Sequence, residues 1–153
     1  MRQLPTTARK TFILSQIKPL VAIVDDDESV CRAIKRLVRS LSMEGETFAS
    51  GREFTDLIEA MPSFHPDCVV LDVQMPGMNG LEVQERMARL GSRIPIIFIT
   101  AHDEAGVRER ALAAGAVAFL RKPFHDELFA KTLGEALNRS AGQKQKAKLA
   151  SEE

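Results

Sequence analysis

The sequence predicts an open, doubly wound α/β sheet of five parallel strands in the order 2-1-3-4-5, with helices on both faces. Three observations predict it. Short apolar runs alternate with segments of helical apolar spacing, five times over residues 19–138. Four of the five runs lack polar alternation, as strands covered on both faces do. Right-handed crossovers at this size then favour the order 2-1-3-4-5.

The elements follow in order. "LVAIVDDD" is an apolar run that ends in acids, the first strand. "ESVCRAIKRLVRSL" carries Val30, Ile34, Leu37, Val38 and Leu41 at helical spacing with basic residues between them. "GETFAS" is a short second strand, and "GREFTDLIEAM" a helix with Ser50 as its N-cap. "DCVVLDV" is a buried third strand. "GLEVQERMARLG" is a helix that starts from Asn79 and stops at Gly91. "IPIIFIT" is the fourth strand, and "DEAGVRERALAAG" a helix with acids at its start and glycine at its end. "AVAFLRKP" is the fifth strand, and "HDELFAKTLGEALNRS" the fifth helix. Residues 1–18 are an N-terminal extension, 19–138 the domain, and 139–153 a flexible, solvated C-terminal tail.

Composition bounds the function. The 153 residues are 44% hydrophobic and 27% charged, ordinary for a soluble domain with a core. No apolar run reaches the roughly 20 residues a membrane span needs, and "FILSQI" is too short and polar for a secretion-signal core. Cys31 and Cys68 are too few for a disulfide framework and read as small core residues in a reduced, cytoplasmic protein. No Cys/His spacing suggests zinc. His65 and His125 fall in loops and are assigned no role. Net charge is zero, yet residues 20–138 carry 13 basic and 19 acidic groups, a balance of −6, between basic ends. An acidic domain argues against nucleic acid as its direct partner.

Ligands of such sheets bind beyond the carboxyl ends of the strands, where strand order reverses. Strand 1 ends in Asp25, Asp26 and Asp27, strand 3 in Asp72, strand 4 in Thr100, and strand 5 in Lys122 before Pro123. In the predicted order strands 1 and 3 are neighbours, so Asp25, Asp26 and Asp72 converge. Grouped carboxylates repel unless a cation neutralises them, and an all-oxygen set suits Mg²⁺. One carboxylate of the set has the character of a nucleophile toward phosphorus, with Thr100 as a hydroxyl donor and Lys122 as a point charge for phosphoryl oxygens. Each piece alone has a plainer reading: helix-start acids, a turn Asp, a strand-end Thr, a solvated Lys. Four strands delivering these groups to one edge is what points to phosphoryl transfer.

"IVDDD", "LDVQMPGMNGLEV", "PIIFITAH" and "GAVAFLRKPF" together resemble the receiver domain of two-component response regulators, over about residues 20–138. The resemblance implies the (βα)5 receiver fold, which shares its topology with flavodoxin-like proteins. It implies that Asp72 is the phosphoacceptor, that Asp26 and Asp25 serve Mg²⁺, and that Gln74 gives the metal its backbone carbonyl. Thr100 would bond the phosphoryl group, Lys122 would pair with it and with Asp72, and Pro123 would be cis. Phe119 stands where the family has an aromatic switch residue, though a buried Phe is also simply core. Gln74 and His102 flank the site at positions that tune hydrolysis; His102 also reads as a plain helix-start residue. Small Ala101 would leave the phosphoryl group accessible.

The resemblance further implies a switch: a histidine kinase or phosphotransfer protein donates to Asp72, and residues 104–138 change their affinity for a downstream target, or for a second copy of the chain. A phosphoryl shuttle or sink in a relay, or a degenerate receiver serving as an interaction module, are the alternatives. About 15 polar residues follow the fifth helix, so the chain reads as a stand-alone receiver or as a fragment. A flavodoxin-like electron carrier would need a hydroxyl- and glycine-rich loop after strand 1, where three acids stand. A haloacid-dehalogenase-like phosphatase would want a second Asp at position 74, where Gln stands.

Overall fold

A computed structural model describes residues 17–152. Five strands alternate with five helices: β1 (Leu20–Val24), α1 (Glu28–Ser40), β2 (Glu44–Phe48), α2 (Gly51–Ala60), β3 (Cys68–Asp72), α3 (Gly80–Arg89), β4 (Ile96–Thr100), α4 (Val107–Ala113), β5 (Ala118–Arg121) and α5 (Asp126–Glu152). The strands form one parallel sheet in the order β2-β1-β3-β4-β5, the order the alternation predicts.

Alternate strand residues feed two cores. Ala22, Val24, Val69, Leu71 and Phe98 face one side, where Phe54 of α2, Val83 and Met87 of α3 and Ala111 of α4 cover them. Val21, Ile23, Val70, Ile97 and Ile99 face the other, under Cys31, Ile34 and Val38 of α1 and Phe129, Leu133 and Ala136 of α5. β1, β3 and β4 are thus apolar on both faces, which accounts for their unbroken runs. β2 is different. It lies at the edge, and its Glu44 and Glu46 are exposed, charges that discourage pairing with another chain.

The helix starts follow their caps. Asp27 accepts from the backbone N–H groups of Ser29 and Val30 at the head of α1, and Ser50 from that of Glu53 at the head of α2. Asn79 and Glu82 form a reciprocal capping box on α3. Gly91, at φ 75°, turns the chain out of α3 in a conformation that suits glycine.

Two element boundaries differ from the sequence expectation. The fourth helix was expected from Asp103 but begins at Val107, behind Gly106 in the left-handed region with φ 83° and no side-chain cap. The acids at its expected start lie instead in the β4–α4 loop. The segment 139–153, expected as a flexible tail, is helical to Glu152 and continuous with α5. Nothing stops the helix there: Gln, Lys, Ala and Leu are good helix formers, no proline intervenes, and propagation costs little once a helix exists. Ser140 is buried on this extension, and Lys144 pairs with Asp67. The proposed N-terminal extension, residues 1–18, lies outside the described residues up to residue 16. Among the described residues no helix is long and apolar enough to cross a membrane.

Candidate functional site

The site lies where β1 and β3 stop. β3 is buried throughout and ends on Asp72, and β1, buried from Val21 to Val24, runs directly into Asp25, so buried apolar strands carry the acids to the sheet edge. Asp25 is 1% exposed and Asp72 5%, and Asp26 projects outward beside them. Carboxylate oxygens of Asp25, Asp26 and Asp72 all lie within 4.8 Å of one another.

One cation meets this cluster directly. Lys122, just past the end of β5, places Nζ 2.8 Å from Asp25 Oδ2 and 3.4 Å from Asp72 Oδ1. Its backbone N–H donates to the Thr100 carbonyl at 2.7 Å, and the Lys122–Pro123 peptide is cis. The second oxygen of Asp25 accepts from the Asp27 backbone N–H at 2.9 Å, which orients that carboxylate.

The electrostatics follow from burial. Loss of water pushes the Asp72 carboxyl up to about 6, the Asp25 charge adds to the rise, and Lys122 opposes it. Burial pulls the Lys122 ammonium down, but its bond to Asp25 and the charge of Asp72 outweigh this and hold it above its ordinary value. At neutral pH Asp72 is therefore an ionised, poorly solvated carboxylate. Three carboxylates facing one ammonium leave an uncompensated negative charge. An all-oxygen donor set of this compactness fits a hard divalent cation such as Mg²⁺, with Asp25, Asp26 and Asp72 as the residues able to hold it.

Tight packing fixes the Asp72 backbone from behind. Val73 N–H donates to the Ile99 carbonyl at 3.0 Å, and Gly80 N–H to the Val73 carbonyl at 2.8 Å. A Cβ at Gly80 would stand 2.3 Å from the Asp72 carbonyl oxygen and 2.9 Å from Val73 Cα. Only glycine lets α3 begin against the strand end that carries Asp72.

The other expected site residues occupy distinct places. Thr100 is buried at the end of β4; its hydroxyl donates to the His102 carbonyl at 2.7 Å and accepts from the His102 N–H at 3.2 Å. The His102 residue itself is exposed. Phe119 is buried in the core on the α2–α3–α4 side, with its ring centroid 6.1 Å from that of Phe98. The Gln74 side chain is exposed and donates from Nε2 to a carboxylate oxygen of Glu104.

Sequence reasoning did not single out two residues that touch this set. Glu104, read as a helix-start acid, is the partner of Gln74. Arg108 stands 6.0 Å over the Phe119 ring and donates to its carbonyl at 3.2 Å. No local spacing signals either contact; each crosses between separate elements or loops.

The family model for the response regulator receiver domain matches residues 21–133. The response regulator protein TmoT of Ectopseudomonas mendocina is 38% identical over 133 residues, 87% of this chain and 59% of TmoT. Nodulation protein W of Bradyrhizobium diazoefficiens is 46% identical over 110 residues, 72% of this chain and 47% of that protein. This chain thus spans roughly half to three fifths of the length of these curated relatives. A crystal structure of a response regulator receiver protein from Burkholderia phymatum is 61% identical, with a TM-score of 0.72, and the match covers 79% of this chain and 96% of that one.

Proposed function

The chain belongs to the response regulator receiver domain family of two-component signalling, and from that premise we propose that it is a phosphorylation-driven switch whose phosphoacceptor is Asp72. The observation that carries the reading is the buried Asp72 carboxylate, grouped with Asp25 and Asp26 and touched by Lys122 Nζ.

The donor is a phosphohistidine on a histidine kinase or phosphotransfer protein. An Asp72 carboxylate oxygen attacks phosphorus. The P–N bond breaks, and the imidazole leaves with the bonding pair, giving an acyl phosphate on Asp72. Asp25, Asp26, Asp72 and the Gln74 main-chain carbonyl would hold Mg²⁺, which would supply charge neutralisation for the incoming phosphoryl oxygens. Lys122 pairs with one of those oxygens while keeping its contact to Asp25. The Thr100 hydroxyl exchanges its bond to the His102 carbonyl for one to the phosphoryl group, which draws the end of β4 inward. Ala101, small, leaves the way open. Gln74 and His102, at the rim, set how long the acyl phosphate lasts.

The output is the surface of residues 104–138. Arg108 on α4 and Phe119 on β5 meet there, so movement of Thr100 on the neighbouring strand has a packed route to it. A downstream protein partner in the cytoplasm reads that surface, without direct nucleic-acid or membrane contact by this segment. Pairing of two copies through it is the homodimer form of the same switch. Gel filtration with and without a stable phosphate mimic checks that form; an unchanged elution volume rejects it.

Intact-protein mass after incubation with Mg²⁺ and acetyl phosphate tests the chemistry. A phosphoryl increment is expected in the wild type, absent in Asp72→Asn and absent when a chelator removes the metal. No increment in the wild type, with acetyl phosphate or with phosphorylated kinase, would reject the reading.

A further inference from the structure

The late start of α4 leaves a loop, residues 101–106, that is tied at two points. Its first tie is the pair of bonds between Thr100 Oγ1 and the His102 main chain. Its second is Glu104, whose carboxylate accepts from the Gln74 carboxamide across the mouth of the fold. Gly106, left-handed at φ 83°, then turns the chain into α4.

Gln74 stands two residues beyond Asp72 and is exposed, so its carboxamide is within a short side chain's reach of the reacting edge. The bond to Glu104 draws it instead toward a groove of about 540 Å³ between the β3–α3 loop and the start of α4. Glu104, Val107 and Arg110 line that groove, whereas Asp25, Asp26 and Asp72 are not part of its lining. A carboxamide next to a phosphoryl group is suited to orient an attacking water. In that hydrolysis the water oxygen attacks phosphorus and the P–Oδ bond to Asp72 breaks. The carboxylate leaves with the bonding pair, and the water's proton goes to the released phosphate.

We infer that Glu104 is a positioning residue for the reaction: its carboxylate holds the Gln74 carboxamide off the phosphoryl site and so lengthens the life of the acyl phosphate. The inference rests on Asp72 being the phosphoacceptor. It couples lifetime to the same loop that Thr100 holds, because Glu104 and the His102 main chain are two residues apart.

The experiment removes acetyl phosphate after labelling and follows loss of the phosphoryl mass. It compares wild type, Glu104→Ala, Glu104→Gln, Gln74→Ala and the Gln74→Ala/Glu104→Ala double variant. Gln74→Ala keeps the main-chain carbonyl, and Glu104 is an exposed loop residue whose replacement leaves the core intact. Glu104→Ala is expected to shorten the half-life about fivefold, the scale of one hydrogen bond. Glu104→Gln keeps an acceptor oxygen and should stay near wild type. The double variant should match Gln74→Ala.

An unchanged half-life in Glu104→Ala overturns the inference. So does equal shortening in Glu104→Gln, which would assign the effect to charge, or shortening that persists without Gln74. In each of these cases the phosphoryl increment still appears. Its absence from the wild type instead rejects the phosphoacceptor reading, and the role of Glu104 falls with it.

Discussion

Asp72 carries an energetic cost for its position. Its carboxyl titrates near 6 in the fold, against an ordinary value of 3.8, so the folded state holds the proton more tightly than the unfolded chain. Stability linked to this group is present below pH 3.8 and is lost as pH rises through about 6. Above that window the loss is about 2–3 kcal/mol. Asp72→Asn removes the charge and nearly keeps the shape. In metal-free buffer at pH 8 it should raise the urea-unfolding free energy by about 1–2 kcal/mol, less than the full amount because Lys122 loses one partner. The gain should shrink toward zero at pH 4. A variant that is less stable than the wild type at pH 8 would mean that the Lys122 pairing dominates over the burial of charge. The two thiols are quieter: burial pushes Cys31 up to about 11 and Cys68 to about 12, which makes both inert core residues at neutral pH. The acids, Thr100 and Lys122 were legible as site residues because they close strands whose apolar runs are obvious. Glu104 and Arg108 were not, because their partners are 30 and 11 residues away along the chain.

At the scale of elements, the decisive junction is β3 into α3. The strand delivers Asp72, the seven loop residues 73–79 follow, and the helix returns so closely that Gly80 touches the strand end. Gly80→Ala puts a methyl group 2.3 Å from the Asp72 carbonyl oxygen. The backbone there cannot yield without moving Asp72. The variant should lose about 2–4 kcal/mol of stability, the range of an overpacked site against backbone, despite alanine's better helix propensity. Labelling by acetyl phosphate should slow as well. Urea unfolding checks the first effect and intact mass the second; a fully stable variant would mean that α3 slides outward without consequence. The start of α3 was readable from Asn79, whose capping box is a local device. The start of α4 was not. Acids before a helical stretch usually mark an N-terminus, but a left-handed Gly106 and the capture of Glu104 by Gln74 hold that segment out of the helix. The long α5 was missed for the opposite reason: a polar stretch reads as solvated whether or not it is helical, and here propensity carries the helix to Glu152.

For the whole molecule, the sheet order brings together groups that lie 47 to 97 residues apart: Asp25 with Asp72, and both with Lys122. The cluster keeps an excess of negative charge that a divalent cation relieves, so millimolar Mg²⁺ should stabilise the entire fold. Saturating metal is expected to add about 1–3 kcal/mol and to raise the thermal midpoint by several degrees, reversed by chelator. Asp26→Asn should weaken the response. A midpoint indifferent to Mg²⁺ would mean that the carboxylates hold no ion. By itself the sequence determined the class of the fold, its strand order and the residues at the strand ends, because the period of apolar residues and the choice of strand-end groups are local properties. Only the tertiary structure decided which side chains meet: the ion pairs of Lys122, the hold of Glu104 on Gln74, and the seat of Phe119 beneath Arg108. Those contacts cross between separate strands, loops and a helix, where distance is set by packing around the sheet and not by spacing along the chain.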